Sequence, residues 1–166
     1  MERERKRKKN GACRGALCIA FLFNAVTNCA VTFPPNVIEL TLTGIKCISD
    51  EGMNGLGNHT KLKFLRLLGK GIESQDFFDL NCVGGSFPQL EVFEIEYLAL
   101  GRWKLDNGAM PRLESVIIHN CHRLDDLPNE LWSLSGLRKV KVTKPSEQMA
   151  LRLQNLINNR VKLIIG

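Results

Sequence analysis

His119, Cys121 and His122 stand close together in the stretch IIHNCHRL, and they are residue types that bind zinc or pair a nucleophile with its base. A tetrahedral zinc site needs four ligands, but the other histidine and the other cysteines are scattered and include no C-x-x-C pair. Cys121 also stands three residues after Ile118, the last of three apolar residues spaced as L-x-x-L-x-L. In repeats with that spacing, this position holds a small buried residue at the turn out of a strand. We therefore expect Cys121 to serve packing.

Other patterns that would support chemistry are weak. A phosphate-binding loop reads G-x-x-x-x-G-K-[ST], and the stretch GKGIES at 69–74 has neither that spacing nor a strand that leads directly into a helix. Asp125 and Asp126 precede Leu-Pro in a predicted turn, where solvated carboxylates are expected. No serine, histidine and aspartate set and no pair of catalytic carboxylates stands out. We predict no enzyme activity, no cofactor and no bound metal.

The positive charge is concentrated at one end of the chain. The net charge is +6, yet residues 1–31 hold seven Lys/Arg and two Asp/Glu, and the rest of the 166 residues hold sixteen and fifteen. Nucleic-acid binding needs cations spread over a folded face, so no nucleic-acid partner is predicted. Cys47, Cys82 and Cys121 lie beyond that segment and are expected to be reduced and buried, as in a cytoplasmic protein.

Residues 1–32 form a separate basic and apolar segment. A basic start, an apolar stretch from Ala16 to Phe23 and small residues after it give the layout of a secretory signal. A non-native start, as in a truncated gene, explains the segment about as well, and we prefer it. The apolar stretch is shorter than the ~20 residues that span a membrane, so a membrane partner is not expected. If the chain is secreted, Asn58 in NHT is a glycosylation site, but a helix-cap or turn asparagine is favoured.

Beyond this segment one apolar pattern occurs five times. In each copy the last two apolar residues are two positions apart, so both face the same side of a short strand. Successive copies begin 25, 28, 23 and 24 residues apart. The copies are Val37/Leu40/Leu42, Leu62/Leu65/Leu67, Leu90/Phe93/Ile95, Leu113/Val116/Ile118 and Leu137/Val140/Val142. One strand cannot bury such a row alone, so we predict stacked repeats around a continuous core.

The predicted fold class is α/β, a leucine-rich-repeat solenoid over residues 33–166. Its curved parallel sheet lies on the concave side, and short helices and irregular turns lie on the convex side. The stretches FPPN, FPQL and MPRL, beginning at Phe33, Phe87 and Met110, are expected to lead into strands, with the residue before proline extended. Leucines at spacings of three or four between Leu124 and Leu137 predict a short helix or irregular turn on the convex side.

The end of the chain is predicted to form a cap of one helix and one strand. Ser146 with Glu147 can start the helix, and Asn158 and Asn159 can end it. Residues 161–165, again 24 residues after the preceding copy, would be the last strand. The predicted apolar face of the helix consists of Met149, Leu153, Leu156 and Ile157.

Residues 86–142 resemble the C-terminal leucine-rich repeats of plant intracellular immune receptors of the coiled-coil, nucleotide-binding type, the NLR disease resistance proteins. Those receptors carry an FPxL strand, a tryptophan a few residues later, then GAMPxLxxLxIxxCxxLxxLPxxL and a closing LxxLxV, and this chain has them in the same order. The resemblance extends over residues 33–165. It implies a protein-binding module in plant innate immunity and the defence response. The phosphate loop of these receptors has no counterpart here, so the resemblance implies a truncated receptor that binds no ATP.

The resemblance leaves two alternatives, a secreted leucine-rich-repeat adaptor or inhibitor and a non-functional receptor fragment. The predicted partners are a pathogen effector or host protein and, in a full receptor, its nucleotide-binding domain. The strand pattern predicts the outward residues of the concave face, which would bind the partner. They are Glu39, Thr41, Phe64, Arg66, Leu68, Val92, Glu94, Glu96, Ser115, Ile117, His119, Lys139 and Lys141, with Thr43 and Thr143 on the same strands.

Within this set, four apolar side chains are unexpected on a solvent face and are predicted to form a binding patch. These are Phe64, Leu68, Val92 and Ile117. The acidic pair Glu94 and Glu96 and the basic pair Lys139 and Lys141 give the face a polarity that a protein partner can recognise. An ordinary mixed surface explains the same residues equally well.

Overall fold

A computed structural model describes residues 16–17, 35–70, 77–156 and 160–166 as a mixed α/β structure whose strands pair in parallel. The strands are β1 (Ala16–Leu17), β2 (Glu39–Ile45), β3 (Phe64–Gly69), β4 (Phe78–Cys82), β5 (Val92–Glu96), β6 (Leu100–Leu105), β7 (Ser115–His119), β8 (Lys139–Thr143) and β9 (Lys162–Ile165). The helices are α1 (Asp50–Gly57), α2 (Asn129–Ser133) and α3 (Glu147–Gln154).

Seven strands form one sheet in the order β1-β2-β3-β5-β7-β8-β9. The apolar rows predicted from the repeats align across it: Leu40, Leu65, Phe93, Val116 and Val140 form one row, and Leu42, Leu67, Ile95, Ile118 and Val142 form the next. Every member of the two rows is at most 3% exposed. Burying such a side chain contributes about 1.5–3 kcal/mol, so the stacked rows form the core. This arrangement is compatible with a repeat solenoid.

A tight turn leads into four of the strands. In each turn the buried first residue of the repeat donates its N–H to the carbonyl three residues earlier. The donor and acceptor pairs are Leu62 and His59, Leu90 and Phe87, Leu113 and Met110, and Leu137 and Leu134, at 3.0–3.3 Å. Proline follows the acceptor in only two of the four turns. It favours that turn through its fixed φ, but the other two turns form without it.

The expectation that the residue before proline is extended is wrong for Phe87 and Met110, and Phe33 lies outside the described residues. Phe87 and Met110 have φ values of 55° and 50°, in the left-handed region. Both side chains are fully buried. Their N–H groups donate to the carbonyls of Gly57 at 2.8 Å and Ser86 at 2.9 Å in the preceding repeat. Packing and these backbone bonds therefore outweigh the local steric preference.

The outer layer differs from repeat to repeat. α1 begins after Ser49, whose Oγ accepts the N–H of Gly52 at 3.2 Å. It ends at Gly57 and Asn58 is its C-terminal cap, so the helix-cap interpretation of Asn58 is confirmed. The next two repeats carry β4 and β6, which pair in parallel as a second sheet that the sequence did not predict. Between Leu124 and Leu137 the chain forms turns and the five-residue α2, as predicted.

The C-terminal cap is largely as predicted. The Oγ of Ser146 accepts the N–H of Met149 at 3.1 Å, which starts α3, and Met149 and Leu153 are buried. The helix ends at Gln154 and is capped by Asn155, so the predicted end at Asn158 and Asn159 is wrong. Backbone N–H groups at the C-terminal end of α3 donate to nearby carbonyls, and these hydrogen bonds close the helix before the chain reaches Asn158. Residues 157–159, including Ile157 of the predicted apolar face, lie outside the described residues, and β9 pairs with β8 as predicted.

Of residues 1–32 the structure describes only Ala16 and Leu17, which pair in parallel with β2 at the edge of the large sheet. The signal-like and non-native interpretations of this segment otherwise concern residues outside the described part. In the described residues, no helix has the length and apolar character needed to cross a membrane.

Candidate functional site

The side of the large sheet that faces away from the core is called the open face here. Its side chains form three rows in register across the strands. The first row is Glu39, Phe64, Val92, Ser115, Lys139 and Lys162; the second is Thr41, Arg66, Glu94, Ile117, Lys141 and Ile164; the third is Thr43, Leu68, Glu96, His119 and Thr143. All residues predicted for the concave face therefore lie together on one surface.

The four apolar residues of the predicted patch are not contiguous. Phe64 and Val92 are direct neighbours in the first row. Leu68 lies in the third row beside Glu96, and Ile117 lies in the second row beside Glu94. The structure thus brings one apolar pair together and places Leu68 and Ile117 each directly beside a glutamate.

An ion cluster occupies the centre of the face, and sequence reasoning did not find it. Arg66 on β3 contacts Glu96 on β5 through Nη2 and Oε1 at 2.7 Å, and Glu94 through Nε and Oε2 at 3.4 Å. Both glutamate side chains are only 16% exposed. Burial raises the pKa of the Glu94 carboxyl above its ordinary value, Arg66 and, more weakly, Lys139 oppose that rise, and Glu96 adds to it. The acidic pair is therefore compensated within the chain.

In the described part of the chain, the basic side chains on the C-terminal strands form no comparable ion pair, although the charge of Lys139 acts on Glu94 and lowers its pKa. Lys139 and Lys162 stand directly opposite each other on β8 and β9, and Lys141 is two residues from Lys139 on β8. Among the residues that the structure describes, none of the three ammonium groups forms an ion pair. The face therefore has a compensated half on β3 and β5 and a positively charged half on β8 and β9.

His119 ends the third row next to an aromatic side chain from the preceding repeat. Its Nε2 lies 3.0 Å from the hydroxyl of Tyr97, and the two rings meet edge to face with centroids 4.9 Å apart. Tyr97 has a φ of 53°, and its N–H donates to the carbonyl of His119 at 2.9 Å. These contacts with Tyr97 hold the side chain of His119 at the edge of the open face.

Cys82 and Cys121 are buried thiols outside any disulfide. Cys121 is buried, and its Sγ lies 3.8 Å from the carbonyl of Ile95 and 3.6 Å from that of His119, which confirms its packing role. Burial raises the pKa of the Cys121 thiol to about 11 and that of Cys82 to about 12, so both are protonated and unreactive at neutral pH. Cys47, expected to be buried, is only partly buried. No group of three metal-ligating side chains occurs in the described part of the chain.

A groove lies on the outer layer of the molecule. It has a volume of about 470 Å³ and runs between the exposed side of β6 and α2. Arg102 and Lys104 line one wall, and Asp126 and Arg152, which pair with each other, line the other. The charges of this groove are mixed, and none of its residues was predicted to bind a partner.

Comparison with known proteins identifies the relatives of the chain, although no protein-family model matches it. It is 33% identical over 112 residues to the disease resistance protein RPP8 of Arabidopsis thaliana, a match that covers 66% of this chain and 12% of that protein. It is 26% identical over 141 residues to the putative late blight resistance protein homolog R1B-16 of Solanum demissum, which covers 84% of this chain and 11% of that protein. The chain is a relative of plant disease resistance proteins.

The resemblance predicted from the sequence is thereby confirmed. A third relative, the late blight resistance protein R1-A of Solanum demissum, is 26% identical over 128 residues, and the match covers 77% of this chain. The chain spans only 10–12% of the length of these three disease resistance proteins. The comparison therefore supports a resistance-related role for this region, without assigning it the activity of a whole relative.

Proposed function

We propose that residues 33–166 are a leucine-rich-repeat solenoid that serves as the recognition module of a cytoplasmic plant disease resistance protein. The module binds protein partners through the concave side of its sheet, which is the open face. The observation that carries the proposal is the alignment of the outward side chains in three rows across the strands β2, β3, β5, β7 and β8. The sequence similarity of the chain to late blight and RPP8 resistance proteins supports a role in plant disease resistance.

The architecture suits recognition because the core rows hold the backbone while the outward rows are free to differ. Each outward residue is placed by a strand whose alternate residues are at most 3% exposed in the two core rows. A repeat array presents such a surface over several strands, which is broad enough for a protein. The proposed partner is a pathogen effector or a host protein, and within a full receptor the nucleotide-binding domain. The module itself performs no catalysis and needs no cofactor in this proposal.

A crosslinking experiment tests the use of the open face. A photoreactive amino acid replaces Ser115 at the centre of the first row, or Gln148, an exposed residue of α3, and the full chain is irradiated in leaf extract. We expect a defined crosslinked protein from position 115 and none from position 148. The substitutions Phe64→Glu and Ile117→Glu together should reduce that product by about tenfold, since each places a charge in a partly buried contact.

The matched control adds the same charges to the opposite surface. Val83 and Leu151 are 42% and 61% exposed, and neither lies on the open face. The variant carrying Val83→Glu and Leu151→Glu should crosslink like the unmodified chain. Equal yields from both double variants, with unchanged circular dichroism, would count against the open face as the binding surface.

A further inference from the structure

In the positively charged half of the open face, two like charges stand directly opposite each other on neighbouring strands. Like charges directly opposite each other on neighbouring strands are destabilising, yet Lys139 and Lys162 are direct partners in the pairing of β8 with β9. On the same face, Arg66 stands directly opposite Glu94. Lys139 acts on Glu94 through its charge, but none of the lysines forms an ion pair in the described residues. Such a local conflict is the pattern expected where a residue serves binding.

The spacing of the lysines defines the shape of a complementary partner. Lys139 and Lys141 are two residues apart on one strand, which separates their Cα atoms by about 6.6 Å. Side chains i and i+2 of an extended peptide have the same separation. Lys162 lies on the neighbouring strand, about 4.8 Å to the side of Lys139. Two carboxylates of an extended segment running along β8 would therefore meet three cations.

Apolar side chains flank this group of lysines. Ile117 and Ile164 are the direct neighbours of Lys141 in the second row, one on each side, and both are partly buried. Covering them with an apolar side chain would remove more of their surface from water. It would also lower the effective dielectric around the ammonium groups and strengthen their attraction to a carboxylate. The site therefore combines a charge requirement with an apolar one.

We propose that Lys139, Lys141 and Lys162, with Ile117 and Ile164 beside them, bind an extended acidic segment of a protein that carries apolar residues among its carboxylates. The inference rests on the proposed function, because it names the chemistry of the partner that the open face would recognise. The charge complementarity selects a polyanion, and the isoleucines select a peptide over a nucleic acid, whose backbone offers no apolar side chain.

Fluorescence anisotropy with a defined probe tests the chemistry. The full chain is titrated against a fluorescein-labelled peptide of alternating glutamate and leucine, with the glutamate–serine peptide and a single-stranded oligodeoxynucleotide of equal charge as competitors. We expect the glutamate–leucine peptide to bind most tightly and to lose affinity as salt is added. Tighter binding of the oligodeoxynucleotide, or equal binding of both peptides, would overturn the proposal.

Charge-matched variants locate the binding site. K139E/K141E/K162E should weaken peptide binding by about tenfold or more, and K139A/K141A/K162A should weaken it as well, which guards against misfolding of the first variant. K46E/R102E/K104E makes the same change in net charge at exposed residues away from this half of the face. It should leave the affinity within about twofold. Equal weakening by the two glutamate triples would show a response to net charge alone and would overturn the site.

The crosslink from position 115 separates this inference from the proposed function. Loss of the crosslinked protein in K139E/K141E/K162E supports the acidic-segment site. If that product persists in the triple variant but is lost in F64E/I117E, the acidic-segment site is overturned and the recognition face stands. If the unmodified open face yields no specific product, the proposed function is overturned, and with it the partner chemistry inferred here.

Discussion

The two halves of the open face handle charge in opposite ways. On β3 and β5, Arg66 lies 2.7 Å from Glu96 and 3.4 Å from Glu94, so the charges are compensated within the chain. On β8 and β9, Lys139 faces Lys162, and neither forms an ion pair among the described residues, although the charge of Lys139 lowers the pKa of Glu94. The core residues of β3, β5 and β8 are fully buried, whereas on β9 Leu163 is only partly buried and Ile165 is exposed. The halves therefore differ in their outward side chains and in the burial of the last strand.

This contrast separates two uses of a charged residue on a sheet. A compensated charge orders its neighbours and contributes to folding, and it offers little to a partner because breaking the pair would cost energy. An uncompensated charge contributes nothing to folding, or opposes it, and remains available to a partner. The first half is therefore expected to respond to mutation in stability, and the second half in binding.

The largest expected effect comes from breaking the compensated half. Arg66→Ala leaves Glu94 and Glu96, each only 16% exposed, side by side without their cation. We expect the free energy of unfolding to fall by about 1–2 kcal/mol, the value of the charged hydrogen bond to Glu96 reduced by partial solvent screening. Lys141→Ala is the matched control, because Lys141 occupies the same row and has no ion-pair partner in the described residues. It should change stability by less than about 0.5 kcal/mol.

Urea unfolding of the two variants and the unmodified chain measures the difference. Equal losses from Arg66→Ala and Lys141→Ala would show that the contact of Arg66 with the glutamates is worth no more than an exposed side chain. That result would remove the distinction between the two halves.

The large sheet could be predicted from the repeats in the sequence, whereas the outer layer could not. Apolar residues two apart identify a strand and its buried side, and recurrence at 23–28 residues identifies the stacking. In β6 that alternation is broken, because Leu100 and Trp103 are buried three residues apart. The register with β4 shifts at this point, so that Gly101 has no partner and the strand bulges. Because of the bulge, the apolar residues of this two-stranded sheet do not alternate regularly in the sequence.

The same limit applies to the site. Alternation along each strand placed every outward residue correctly, because side chains in a strand point to opposite faces. The contact between Arg66 and Glu96 joins residues 30 apart in sequence, and it depends on the register of β3 with β5. A single-strand pattern contains no register. For that reason the sequence suggested an acidic pair facing a basic pair and missed the arginine that compensates the acids.

The pH dependence of stability sharpens the description of the compensated half. Burial raises the pKa of Glu94 above the ordinary 4.5 despite Arg66. The folded state then holds the proton of Glu94 more tightly than the unfolded state, so the protonated carboxyl contributes to the stability of the fold. This contribution to stability is complete below pH 4.5 and is lost as pH rises through the folded pKa. Relative to Glu94→Gln, the unmodified chain should lose stability over that range.

Urea unfolding at several pH values from 4 to 7 checks the sign, with Glu39→Gln on an exposed carboxylate as the control. In the Arg66→Ala background the loss should become larger, since the opposing cation is gone. If the unmodified chain instead gains stability over Glu94→Gln as pH rises, the ion pair outweighs burial and the charge on Glu94 favours folding.

The smallest effect is expected in the uncompensated half. Lys162→Ala removes one of two like charges that stand directly opposite each other, and Lys162 is exposed, so little packing is lost with it. We expect a gain in the free energy of unfolding of about 0.2–0.5 kcal/mol at low salt. The gain should vanish near 1 M salt, where charges interact over only about 3 Å.

Lys141→Ala is the control. Lys141 has no directly opposite lysine, since its neighbours are Ile117 and Ile164, so this variant should show no comparable salt dependence. A salt-independent change in both variants would mean that the lysines do not repel each other, and the case for an external anionic partner would lose its energetic basis.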